Sequence, residues 1–166
     1  LDLEHLIDAL GEAPPKLDLR AHELQYPRAH TVERHGPDIE YHRGDPQAGP
    51  RTIEGRIHGD APWPTVENWS YQWTSHRAMN DTVNRLLREH WEEAKYLLAT
   101  HPRPELTLDA GRAIGQGFFN SGMYGAGPRA GVQHQTSFVR IRLRLLRRDP
   151  PDWFVETAFP IGLPSK

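Results

Sequence analysis

The chain has 166 residues, 37% of them hydrophobic and 25% charged, with a formal net charge of -2 and no cysteine. These values describe one globular domain able to bury a core of its own. They exclude disulfides, thiolate catalysis and cysteine-bound metal groups, and no apolar run is long enough to span a bilayer.

A pI near 6.6 is not that of an ordinary nucleic-acid binder. The charge is uneven, however. Asp and Glu concentrate before residue 110, whereas Arg140, Arg142, Arg144, Arg147 and Arg148 stand in a stretch without an acid, so an RNA could still find a cationic face.

The chain begins Leu1-Asp2-Leu3-Glu4, with no Met, basic n-region or apolar h-region. It reads as a fragment of a longer protein rather than as a signal peptide. Leu3, Leu6, Ile7 and Leu10 have helical spacing, which Gly11 ends. Pro14-Pro15 is a stiff break, and residues 16 to 24 are open to a loop or a short helix.

The stretch Ala29 to Pro37 holds His30, Arg34 and His35 and closes on a Gly-Pro turn. Histidine exchanges protons near neutrality, and Arg is a fixed cation shaped for phosphate or carboxylate. The pairing suits phosphoryl-ester chemistry better than redox chemistry; incidental histidines on a polar helix or loop are the alternative.

Residues 37 to 68 read as a long loop with one helical turn at 51–57, where Ile53 and Ile57 would pin Arg56 to the core. Trp63, Trp69, Tyr71 and Trp73 are open to base stacking or to core filling, and the shortage of other apolar residues here favours the core. Residues 75 to 100 predict one long amphipathic helix, capped by Ser75 or Asn80, that packs on a sheet and carries His90 on its apolar stripe.

After Pro104 the period becomes two. Leu106 and Leu108 mark a strand, residues 114–119 a second, and residues 121–131 a glycine-rich hairpin or loop without the context of a phosphate-binding loop. His134 follows, as a solvated loop residue or one that enters a cleft. In residues 138–146, Val139, Ile141, Leu143 and Leu145 alternate with Arg140, Arg142 and Arg144, which either line an RNA path or face solvent. Residues 153–159 pair with that strand, with Val155, Thr157 and Phe159 on one face. Helices first and antiparallel strands afterwards give an α+β fold.

The order His30-Thr31-x-x-Arg34-His35, a short helix with Arg56, a long amphipathic helix, a glycine-containing strand, an aliphatic strand and Thr157-Ala158-Phe159-Pro160 resembles the bacterial ribonuclease A-like toxin domain. That family forms the C-terminal end of contact-dependent growth inhibition and other polymorphic secreted toxins. The resemblance covers residues 29 to 163, by order and spacing more than identity.

It implies residues 29–166 as the toxin domain and 1–28 as a helical segment or linker from a larger protein. It further implies helices packed on a curved antiparallel sheet, like ribonuclease A without disulfides, and RNA cleavage with neither metal nor other cofactor. The family's catalytic His maps to His35, its phosphate-stabilising Arg to Arg56, and its strand Thr and Tyr to Thr157 and Phe159. Phe159 departs from the pattern, since it cannot donate a hydrogen bond.

On this reading His35 takes the 2′-OH proton, Arg56 neutralises phosphorane charge and Thr157 bonds phosphate or base. His30, Phe159 and His134 are supporting candidates; on a helix, His30 and His35 would diverge. Arg140, Arg142 and Arg144 are candidate RNA contacts.

The implied partners are RNA, tRNA among the candidates, and a cognate immunity protein, with the chain a monomer or a heterodimer with that inhibitor. It would be delivered as the C-terminal part of a larger bacterial protein and act in the target-cell cytoplasm. Two other classes stand beside this one: a non-catalytic effector or adaptor domain of a secretion system, and a metal hydrolase using His30, His35 and His42, whose spacing fits no zinc motif.

Overall fold

Leu6 and Leu10 lie one turn apart, and the computed structural model, which describes residues 2–124 and 127–162, buries both on helix α1 (Asp2–Leu10). They join Leu19 of α2 (Leu19–Gln25) in one hydrophobic cluster with Trp73, Val83, Leu87, Ile141 and Val155. Helices α1 and α2 therefore contribute to the same core as the strands. Two short helices follow, α3 (Thr31–His35) and α4 (Gly55–His58).

Ser75 caps the next helix as expected, its hydroxyl accepting from the Ala78 amide at 2.9 Å. The single helix expected over 75–100 is instead two, α5 (His76–Glu89) and α6 (Trp91–Thr100), which meet at His90 with φ -115° and ψ 25°. The apolar stripe runs unbroken through the bend, from Leu86 and Leu87 to Trp91 and Ala94, so periodicity alone does not reveal it. His90, expected in the core or at its boundary, stands at the boundary: it is partly exposed at the bend, 3.9 Å from Glu93.

The strands are β1 (Trp69–Trp73), β2 (Glu105–Asp109), β3 (Gly115–Asn120), β4 (Gly131–Thr136), β5 (Phe138–Arg148) and β6 (Pro151–Ile161). They form two antiparallel three-stranded sheets, ordered β1-β3-β4 and β2-β5-β6, where one curved sheet was expected. The Trp73 indole N–H donates to the Ala158 carbonyl at 2.9 Å and ties the sheets together. Neither β1 nor β4 was expected as a strand.

Along β5 and β6 the register places Arg142 opposite Thr157 but Leu143 opposite Val155. Glu156 is thus a bulge residue. The bulge breaks the two-residue alternation, so Val155 does not share a face with Thr157 as expected: it lies in the main core with Ala158, while Thr157 and Phe159 line a cleft.

Candidate functional site

The cleft begins with α3, whose placement depends on bonds to β6. The His30 amide donates to the Glu156 carbonyl at 2.9 Å, and the Thr31 hydroxyl accepts from the Ala158 amide at 2.9 Å. These two bonds bracket Thr157. From α2, the Glu23 carboxylate accepts from the Val32 amide at 2.7 Å and the Glu33 amide at 3.0 Å, satisfying amides that a helix start leaves unpaired. Gly36 permits the tight exit, since a Cβ there would stand 2.5 Å from the Val32 carbonyl oxygen.

At that end of α3, His35 Nδ1 lies 3.1 Å from the Tyr71 carbonyl oxygen, and the ring stacks on Phe159 with centroids 4.7 Å apart. A carbonyl only accepts, so Nδ1 carries the proton and Nε2 holds the free lone pair of the neutral ring. Burial pushes the imidazole down from the ordinary 6.5 to about 3; the Tyr71 bond opposes this, and Arg56, His30 and Arg34 add to the depression. His35 is therefore neutral near pH 7, and Nε2 is the ring atom with a lone pair to accept a proton.

Arg56 reaches the same cleft from α4. Ile53 and Ile57 are 0% exposed and pack with Phe118, so the expected anchoring is present; each such burial contributes about 1.5–3 kcal/mol. The guanidinium lies 4.5 Å above the Trp63 ring, with Arg51 at 5.0 Å from the same ring. Burial lowers the Arg56 pKa, Glu67 opposes that, and Arg34 and Arg51 add to it. An arginine nevertheless stays charged.

These groups line one cleft of about 520 Å³, walled by His30, Arg34, His35 and Arg56 on one side and by Thr107, Arg140, Arg142, Thr157 and Phe159 on the sheet side. Glu67 is the acid among the lining residues. Two polar atoms on its walls are buried without a hydrogen-bond partner: Arg56 Nε and the hydroxyl of Thr157, a residue 1% exposed. Buried polar groups are nearly always paired, so two orphan donors among the residues of one cationic cleft point to an anionic oxygen ligand.

Comparison with protein-family models, curated proteins and solved structures finds no match. The site's chemistry is thus read from its own groups.

The structure brings together His30, His35, Arg56, Thr157, Phe159, Arg140 and Arg142. His30 does not diverge from His35: with φ -145° and ψ 28° it is the N-cap and stands outside the helical spacing on which divergence was predicted. Arg140 and Arg142 share Glu105, at 3.5 and 2.8 Å, and Arg142 lies 5.4 Å from the Phe159 ring centroid.

Arg144 is not among the lining residues; past the bulge it pairs with Glu156 at 2.9 Å. His134 is neither on a loop nor in the cleft wall. It sits on β4, with Nδ1 2.9 Å from the Tyr71 hydroxyl. His42 is exposed beside Glu54 at 3.8 Å, and no group of three or more His, Cys, Asp or Glu among the described residues is placed to hold a metal ion.

Glu23, the Tyr71 carbonyl and Glu67 were not among the residues expected at the site, and Thr31 was expected only as part of the His-Thr motif. An acid seven positions before a His-Thr pair was the one available signal for Glu23.

Proposed function

We propose that the chain is a metal-independent endoribonuclease of the ribonuclease A-like toxin type, used in competition between bacteria. The observation that carries this reading is the neutral His35, with its Nε2 free, in the same cleft as the orphan donors of Arg56 and Thr157. The helices with two antiparallel sheets and no cysteine are consistent with that fold type.

On this reading His35 Nε2 takes the proton of a ribose 2′-OH, and the oxygen attacks the neighbouring phosphorus. Arg56 and Thr157 donate to the phosphorane oxygens, where charge grows. The 5′-oxygen leaves and a 2′,3′-cyclic phosphate remains. Stacking against Phe159 and the bond to Tyr71 hold the base ring in one orientation. Arg140, Arg142 and Arg34 follow the RNA backbone.

The cationic lining suits an inhibitor that lays acidic side chains over the cleft, the immunity protein such a toxin requires. Delivery as the C-terminal part of a larger bacterial protein, with action in the target-cell cytoplasm, belongs to the same proposal. No described helix is long and apolar enough to cross a membrane.

The nucleophile belongs to the substrate, which supplies the test. An RNA oligonucleotide cleaved by the protein in the presence of a chelator should resist cleavage wherever a single 2′-deoxynucleotide replaces the attacked residue. Cleavage at that position would overturn the proposal.

A further inference from the structure

The reaction proposed above expels an alkoxide, which needs a proton as the bond to phosphorus breaks, and His35 has by then accepted one. The geometry points to His30 as the general acid that supplies it, an inference that rests on the ribonuclease reading.

The other lining groups do not fill the role. Phe159 has no proton to give, the Tyr71 hydroxyl is bonded to His134 Nδ1 at 2.9 Å, and Glu67 accepts the Thr65 hydroxyl at 3.0 Å. Arginine does not release its proton in proteins. His30 lines the cleft with His35 and differs from these groups in chemistry.

Its placement is fixed from two sides. The main-chain N–H is bonded to the bulge carbonyl of Glu156 at 2.9 Å, beside Thr157, and ring Nδ1 lies 3.2 Å from the Arg28 carbonyl oxygen. A carbonyl can only accept, so Nδ1 donates there and Nε2 is the atom left to face a substrate. As the imidazolium, the ring satisfies Arg28 and still offers an Nε2 proton.

The step balances. The 2′-oxygen forms a bond to phosphorus and gives its proton to His35 Nε2. The bond from phosphorus to the 5′-oxygen breaks, and that oxygen takes the proton from His30 Nε2. The products are a 2′,3′-cyclic phosphate and a 5′-hydroxyl, and proton exchange with water resets the two histidines.

The test compares leaving groups. His30→Asn keeps a side chain favoured at an N-cap, and His30→Gln serves as a second variant read the same way. Each is assayed on a dinucleoside phosphate and on uridine 3′-(4-nitrophenyl phosphate), whose nitrophenolate leaves without a proton. Loss of the acid should lower kcat/KM about 10²- to 10³-fold on the dinucleoside phosphate and less than about tenfold on the nitrophenyl ester.

His35→Ala should lose activity on both substrates, because the 2′-OH must be deprotonated in either case. Equal losses for the His30 variants on the two substrates, or no loss on the dinucleoside phosphate, would overturn the assignment of His30. Full activity of His35→Ala would overturn the underlying reading instead.

Discussion

His35 is held to Tyr71 by a 3.1 Å hydrogen bond from its Nδ1–H to the main-chain carbonyl of β1, and this bond decides which ring nitrogen can act. It joins α3 to one sheet, while the amides of His30 and Ala158 join the same helix to the other. The His35 imidazole therefore sits where three elements meet.

Acid should weaken the fold through His35. Its folded pKa is depressed from 6.5 to about 3, so between those values the unfolded chain binds more protons. Stability is full above the unfolded value and is lost as pH falls toward the folded one, by no more than about 1.4 kcal/mol per pH unit. His22, whose Nε2 accepts the Val155 amide and whose pKa burial also lowers, acts with the same sign. Urea unfolding of His35→Gln should show a shallower loss of stability than the parent between about pH 6.5 and pH 4.5. An unchanged slope would refute the depressed pKa.

Thr157→Val should separate function from stability. The hydroxyl is buried and unpaired, so removing it should stabilise the fold by about 1 kcal/mol in urea unfolding, while kcat falls about 100-fold with the loss of a donor to the phosphorane. A destabilised but fully active variant would contradict the placement of that oxygen.

Arg142→Ala and Arg144→Ala should behave differently although they stand two apart on one strand. Arg142 lines the cleft and its ion pair is with the shared Glu105, an exposed pairing worth little. Its loss should reduce the slope of log affinity for RNA against log salt by about 1. Arg144, paired with Glu156 outside the lining residues, should leave the slope unchanged.

Glu23→Ala should cost about 1 kcal/mol of stability and lower kcat, because the Val32 and Glu33 amides lose their acceptor and α3 loses the anchor that aims His35. Thermal melts and steady-state kinetics on the same preparation check both effects.

How far these features could be read from the sequence follows from which signals are local. Strand β5 was legible because Val139, Ile141 and Leu143 alternate with arginines, and the turn at α4 because two isoleucines four apart flank Arg56. Strand β1 was not, because four of its five residues are buried and Trp-Ser-Tyr-Gln-Trp presents no face to solvent. Strand β4 hid for the opposite reason: Val132, Gln133 and Gln135 are exposed at a sheet edge.

The site was legible only in part. His35, Arg56 and Thr157 carried local chemistry, and the cleft collects all three. The role of His30 depends on its being an N-cap rather than a helical residue, and the separation of Thr157 from Val155 depends on one bulge. Glu23 and the Tyr71 carbonyl act through contacts between distant elements, which no spacing in the chain records.

The most direct test of the central claim is cleavage of a defined RNA by the purified chain in excess chelator, with the ends of the products determined, alongside His35→Ala. The account predicts fragments ending in 2′,3′-cyclic phosphate from the parent and none from the variant at an unchanged melting temperature. Undiminished cleavage by a folded His35→Ala protein, or cleavage by the parent that stops when divalent metal is removed, would contradict it.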